Sequence, residues 1–206
     1  MTRIKICGIT REEDLSAAAR LGADAIGLVF YPKSPRLVTV ERAAELLRRL
    51  PPFVTSVGLF VNPTVEEVRA ALAHAPVDLL QFHGDEPPEF CRAFGLPYLK
   101  AVRVKPGLDL VQYAARYADA RGLLLDAFVE GIPGGTGRSF DWSLIPRDLS
   151  LPVVLSGGLD PSNVGEAVER VQPWAVDVSS GVEAAKGIKD AAKIAAFVQG
   201  VRNATV

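Results

Sequence analysis

The sequence is poor in the residues that build disulfide frameworks and metal sites. Its 206 residues include two cysteines, Cys7 and Cys91, and two histidines, His74 and His83. Two cysteines so far apart in the chain do not make a disulfide framework, which points to a reducing compartment. A metal centre of clustered imidazoles is hard to assemble, because His74 falls on a predicted helix and leaves only His83. An excess of one charge is also missing. The 23 basic and 24 acidic residues give a formal charge of −1, whereas nucleic-acid binders carry a basic patch large enough to show in that balance. No run approaches the ~18 to 20 apolar residues of a membrane span. Near the start, Lys5 and then Glu12, Glu13 and Asp14 interrupt any signal-like apolar stretch. The expectation is a soluble cytoplasmic protein with neither nucleic acid nor membrane as partner.

What is present is globular in composition, with 49% hydrophobic and 23% charged residues. The length suits one large core and is short for two ordinary domains. Apolar runs recur as candidate strands at Arg3 to Cys7, Asp24 to Phe30, Val54 to Val61, Val77 to Phe82, Tyr98 to Val104, Gly122 to Asp126, Val153 to Leu155 and Ala175 to Val178. Their starts are spaced at roughly 20 to 30 residues, the size of one β-α unit. Helical patterns fill the intervals: Asp14 to Leu21, Val40 to Leu50, Val65 to Ala73, Pro88 to Phe94, Leu108 to Tyr117, Ser162 to Val171 and Asp190 to Val201. Thr39, Thr64 with Glu67, and Asp160-Pro161 supply helix-start signals. After the sixth strand only Trp142 to Ile145 allows a short turn. Alternating elements of this number predict an α/β fold, a single (β/α)8 TIM barrel over residues 1–206. An open doubly wound sheet is the alternative, weakened because no Gly-x-Gly-x-x-Gly turn follows the first strand. Asp24, Asp78 and Asp177 recur near even-numbered strands, through repeated architecture or merely similar helix-to-strand loops.

In such a barrel the chemistry sits at the C-terminal ends of the strands. Cys7 ends the first strand on a face shared with Arg3 and Lys5. Gln81 and His83 end the fourth, Arg103 the fifth and Asp126 the sixth. A carboxylate that closes the apolar run Gly122-Leu123-Leu124-Leu125 costs several kcal/mol to bury unpaired, so Asp126 should face the barrel mouth. Cys7 and Asp126 would stand nearly opposite one another, placed to work as acid and base on one substrate. The bland alternatives are a small packed thiol and a structural loop cap. The Gly157-Gly158 loop and the Ser179-Ser180-Gly181 loop expose backbone N–H groups at the seventh and eighth strand ends, a place suited to phosphate. Arg36, in a proline-stiffened loop, can fork onto a carboxylate. The glycine-rich stretch Gly131 to Arg138 is expected to be a closing lid. Cys91 reads as core packing, His74 as a helix C-terminal partner, Trp174 as a plug under the barrel and Trp142 as an anchor beyond the lid.

These residues fall into motifs with a family look. Lys5-Ile6-Cys7-Gly8-Ile9-Thr10, Ser34-Pro35-Arg36, Gln81-Phe82-His83-Gly84, Leu125-Asp126, Gly134-Gly135-Thr136-Gly137, Ser156-Gly157-Gly158-Leu159 and Asp177-Val178-Ser179-Ser180-Gly181-Val182-Glu183 span the chain from end to end. Together they closely resemble the phosphoribosylanthranilate isomerases of tryptophan biosynthesis. The resemblance implies a cofactor-free Amadori rearrangement of a phosphosugar, with no metal, by a monomer or homodimer. It implies that Asp126 is the general acid and Cys7 the general base, and that Arg36 takes the anthranilate carboxylate. Gly157, Gly158, Ser179, Ser180 and Gly181 would then hold the phosphate, Asp177 would orient these groups, and Gln81 and His83 would line the wall. Because a thiol is a poor base until ionised, a cation should assist Cys7, and Lys5 is the candidate. The related histidine-pathway isomerase would be expected to bind a substrate with two phosphates, but Gly58-Leu59-Phe60-Val61-Asn62 offers no second cradle. A phosphosugar-binding module without turnover is the reading from another class.

Overall fold

The computed structural model describes residues 1–127 and 140–204. Eight strands run in parallel: β1 Arg3–Cys7, β2 Ala25–Val29, β3 Thr55–Phe60, β4 Leu79–Phe82, β5 Tyr98–Val104, β6 Gly122–Ala127, β7 Val153–Leu155 and β8 Ala175–Val178. Each pairs with the next, and β8 pairs back onto β1, so the expected barrel is closed. The helices are α1 Glu12–Leu21, α2 Val40–Leu47, α3 Val65–His74, α4 Pro88–Cys91, α5 Leu110–Arg116, α6 Val164–Val171 and α7 Ala191–Asn203. After β8 comes an antiparallel pair absent from the sequence expectation, β9 Glu183–Ala185 and β10 Ile188–Lys189. The predicted lid, Gly131 to Arg138, lies outside the described residues.

Side-chain alternation divides the core in two. Ile4, Ile6, Ile26, Leu28, Val176 and Val178 pack with Leu15, Val168 and Phe197 of the surrounding helices. The opposite parity points into the barrel, where Leu99, Ala101, Leu124, Val154 and Ala175 fill the interior. Nearer the mouth, Cys7, Val29 and Leu59 form their own cluster. The inward parity also carries Lys5, Gln81, Asp126 and Asp177, all buried. The apolar plug beneath and these polar side chains above are thus two ends of one alternation.

Local chemistry accounts for most element boundaries. Thr39 Oγ1 accepts from Arg42 N at 3.2 Å, and Thr64 and Glu67 form a reciprocal capping box at α3. Asp160-Pro161 is no cap for α6, which starts later. Asp160 instead builds a turn with Ser162 and Asn163 ahead of the helix. Asp24 and Asp78 share a role, each accepting a backbone N–H at the start of a neighbouring strand, Ile4 N and Ser56 N, both at 2.8 Å. Asp177 belongs to the barrel mouth and has no part in that pattern. Trp174 is no plug: it is 53% exposed, with the Arg3 guanidinium 3.9 Å above its ring. Cys91 is fully buried among aromatics, and His74 Nδ1 lies 2.9 Å from Ala70 O at the end of α3.

Candidate active site

The strand C-termini surround a cavity of about 400 Å³, lined by Cys7, Arg36, His83, Asp126, Gly157, Gly158, Asp177, Ser179 and Ser180. Gln81 stands behind His83 instead of on the cavity wall, and Gly181 packs on Leu159 O and Asp160, where a Cβ has no space. A larger hollow of about 780 Å³ lies under the barrel beside Arg3, Trp142 and Trp174, away from the strand ends where barrel chemistry is built.

Asp126 is held at both oxygens. The Ala127 N–H donates to Oδ1 at 2.8 Å, and His83 Nε2 lies 3.1 Å from Oδ2. Gln81 Nε2 lies 3.0 Å from His83 Nδ1. With the Gln81 amide turned so that its Oε1, otherwise without a partner, accepts an Nδ1 proton, Nε2 becomes an acceptor facing the Asp126 carboxyl; the His83 tautomer therefore decides whether that carboxyl holds a proton to give. Gly157, with φ of 81°, makes room for this acid, since a Cβ there would meet Ala127 N at 2.5 Å and Asp126 Oδ1 at 2.8 Å. Behind His83, the buried Glu86 collects the Asn62 and Gly84 N–H groups, and Lys100 Nζ closes on it at 2.6 Å. That pair ties the loops after β3 and β4 to β5.

Cys7 sits opposite this group in the strand order, over Gly27, its register partner on β2. A Cβ on Gly27 would lie 2.7 Å from the thiol sulfur, so glycine there makes the thiol's seat. Burial pushes the Cys7 thiol up, and Asp177 adds to this. Lys5, on the same inward face of β1, and Lys189 work against both, yet the thiol stays above its ordinary value. Burial pulls Lys5 down, but Asp177 and Cys7 outweigh it and hold its ammonium more firmly than usual. Lys5 Nζ donates to Asp177 Oδ1 at 2.8 Å across the β1–β8 register, and Ser156 Oγ donates to Oδ2 at 3.3 Å.

Arg36 is not the free fork the sequence suggested. Its Nε and Nη2 donate to Glu183 Oε1 and Oε2 at 2.7 and 2.9 Å, so one guanidinium edge is already used. Glu183 and Lys189 were missed from the sequence. The strands that carry them are only three and two residues long, and only Gly187 between them signals a turn. Arg103 pairs in register with Asp126 and reaches Asp85 at 3.6 Å. Among the described residues no cluster of His, Cys, Asp and Glu could hold a metal ion, and no helix is long and apolar enough to cross a membrane.

The model of the N-(5'-phosphoribosyl)anthranilate isomerase family matches residues 4–200. The chain belongs to that family. It is 66% identical over 201 residues to the N-(5'-phosphoribosyl)anthranilate isomerase of Pseudomonas aeruginosa strain LESB58, covering 98% of this chain and 95% of the relative. The isomerase of Dechloromonas aromatica is 64% identical over 203 residues, covering 98% and 97%. The crystal structure of the Thermotoga maritima isomerase superposes with a TM-score of 0.90 at 43% identity, covering 98% of this chain and 99% of that one. A second isomerase crystal structure, in complex with reduced 1-(o-carboxyphenylamino)-1-deoxyribulose 5-phosphate, has a TM-score of 0.87 at 43% identity, covering 98% and 99%. Isomerases of this family and the present chain therefore share the barrel through their whole length.

Proposed function

We propose that this chain converts N-(5-phosphoribosyl)anthranilate to 1-(2-carboxyphenylamino)-1-deoxyribulose 5-phosphate, a cofactor-free step of tryptophan biosynthesis, and that residues 1–206 act as one barrel domain in the cytoplasm. The observation that carries the reading is a single cavity, in a chain of this family, lined by a carboxyl on β6 and a thiol on β1. Asp126 gives a proton to the furanose ring oxygen. The C1–O bond breaks toward that oxygen while the anilino nitrogen lone pair forms the Schiff base. Cys7, as thiolate, takes the C2 proton, and the electrons of that C–H bond neutralise the iminium to give an enolamine. Loss of the enol proton and protonation at C1 complete the ketone. The Gly157-Gly158 and Ser179-Ser180 backbones take the phosphate, with Gly181 packed beneath them, and Asp177 orients a sugar hydroxyl beside Cys7. Gln81 acts through His83, and the outer edge of Arg36 takes the carboxylate.

Two alternatives are weaker on specific grounds. The histidine-pathway substrate would need a second phosphate cradle, whereas the third strand end offers Leu59 and Val61 to the cavity. A binding module would have no use for a thiol seated on a glycine opposite a carboxyl. The test is loss of substrate anthranilate fluorescence. The chain should consume the signal, while Cys7→Ala and Asp126→Asn should still bind and lose on the order of 10²- to 10⁴-fold in kcat, as general acid–base groups do. No signal loss above the uncatalysed rate would end the assignment, and an adduct trapped on Cys7 during turnover would contradict its role as base. Assembly stays at monomer or homodimer. A Thermotoga maritima relative is described as monomers generated from a dimeric isomerase, and sedimentation of this chain decides between the two.

A further inference from the structure

One buried charge cluster at the edge of the site includes two residues, Glu183 and Lys189, with no part in the chemistry above. Arg36 lies in the loop after β2, Glu183 opens β9, and Lys189 closes β10. Glu183 Oε1 accepts from Arg36 Nε at 2.7 Å and from Lys189 Nζ at 2.9 Å, while Oε2 accepts from Arg36 Nη2 at 2.9 Å. Lys189 Nζ also donates to Ser179 O at 3.0 Å and lies 3.3 Å from Ser179 Oγ. Three acceptors match the three protons of an ammonium. The side chains of Lys189, Glu183 and Arg36 are 0%, 6% and 11% exposed.

Counting charge shows what the third member does. Arg36 fully forked onto Glu183 is a neutral pair, and a neutral pair has little pull on a substrate carboxylate. Lys189 makes the trio net positive. Lys5 with Asp177 and Arg11 with Asp14 are neutral neighbours. Lys193 is exposed and reaches only the Glu183 carbonyl, at 2.7 Å, where solvent screens it. With Cys7 as the neutral thiol, the buried excess charge among the described residues around this cluster is that of Lys189; the Cys7 thiolate would offset it.

We propose that Glu183 and Lys189 are positioning residues of a carboxylate clamp. Glu183 fixes Arg36 by its Nε edge so that the end-on Nη1/Nη2 edge meets the substrate carboxylate, and Lys189 supplies the net charge that makes this edge attractive. The inference rests on the reading of Arg36 given under the proposed function. It adds that substrate selection depends on a lysine that never touches the substrate. Because Lys189 also holds Ser179 of the phosphate loop, carboxylate and phosphate recognition share one ammonium.

The experiment compares kcat/KM for N-(5-phosphoribosyl)anthranilate with that for the same compound carrying aniline in place of anthranilate. Losses common to both substrates, including those through Ser179 or Cys7, cancel in the ratio. Lys189→Met should reduce the preference for the carboxylated substrate about tenfold or more, the order of one charge-assisted hydrogen bond. Glu183→Gln raises the net charge but releases the Arg36 fork, so the lost positioning should reduce the preference through KM rather than kcat; Lys189→Arg, which keeps the charge, should hold the wild-type preference. Should Lys189→Met fail to fold, Glu183→Gln and Lys189→Arg still read the same ratio. Equal losses on both substrates in Lys189→Met and Glu183→Gln would overturn the proposal and leave the cluster a scaffold for Ser179. If Arg36→Met keeps the wild-type preference, the reading of Arg36 itself falls, and the clamp with it.

Discussion

Replacing Lys5 by Met tests the proposal that Cys7 acts as a base with a cation's help. Burial and Asp177 both push the thiol up, and Lys5 pulls it down more strongly than Lys189 does. A cation beside an ionisable thiol favours the thiolate, so its removal disfavours that form. Lys189 remains in the variant, so the thiol should rise further above its ordinary value by the part of the pull that Lys5 supplied, and kcat/KM at neutral pH should fall about tenfold or more. The thiolate can be followed directly by ultraviolet absorbance against pH, with Cys7→Ala as the blank. Cys91 stays silent in this titration, because burial pushes its thiol up to about 12. The alkaline rise of kcat/KM should move with the absorbance. Loss of Lys5 also strands Asp177, and breaking a buried pair costs about 3–5 kcal/mol. The double variant Lys5→Met/Asp177→Asn removes that confusion and should bring the thiol part of the way back. An unchanged pH dependence in Lys5→Met would refute Lys5 as the counter-ion of Cys7.

Gly27→Ala places a Cβ 2.7 Å from the Cys7 sulfur and 3.1 Å from its Cα. The thiol must move, so kcat should fall on the order of 10²-fold, the penalty of a ~1 Å misplacement, with KM little changed in steady-state assays. Lys100→Met leaves Glu86 buried without its cation, at a cost of about 3–5 kcal/mol visible in urea unfolding, and Lys100→Met/Glu86→Gln should regain part of it. Stability should fall at both pH extremes. Burial raises Glu183, but Arg36 and Lys189 outweigh this and set its folded value below the ordinary 4.5, so its contribution is present above 4.5 and lost as pH falls through the folded value. Cys7 and Lys5 are raised, so theirs are complete below 9.0 and 10.5 respectively and lost as pH climbs through the folded values. Arg36→Met should weaken the acid arm, and Cys7→Ala the alkaline one, in urea titrations across pH.

Periodicity carried the fold. Arg3–Cys7, Tyr98–Val104, Val153–Leu155 and Ala175–Val178 are strands with the bounds that alternation and apolar runs suggest. Helix starts were legible where a side chain caps, as at Thr39 and Thr64, and misplaced where it does not, as at Asp160. The Glu183–Lys189 hairpin was invisible because two strands of three and two residues carry no period. Trp174 misled for a different reason. An indole before a barrel strand suggests a plug, but the apolar interior is already filled by Leu99, Leu124 and Val154, which leaves Trp174 to the surface under Arg3. In the site, parity alone brought Cys7, Asp126 and Asp177 to the mouth. Parity could not say that Arg36 was already engaged, because its partner lies 147 residues away.

The limit of reading residues one at a time is clearest at that arginine. A guanidinium in a loop after a barrel strand looks like a ready cation, yet its charge here depends on a glutamate and a lysine from the far end of the chain. The same holds at the thiol, which burial pushes up and which Lys5 beside it, Asp177 across the β1–β8 seam and Lys189 from the hairpin then adjust. Both halves of the site converge on Lys189, which leaves the Arg36–Glu183–Lys189 trio net positive and adds to the field at Cys7. Closing the barrel is what makes this sharing possible, because only the β1–β8 seam brings residues 5 and 7 to the chain segment 177–189. In an open doubly wound sheet β1 and β8 would not pair, and the base and the carboxylate clamp would each need a cation of their own. In the proposed clamp one buried lysine serves both the thiol and the carboxylate site because residues 3–6 and 175–178 pair at the β1–β8 seam.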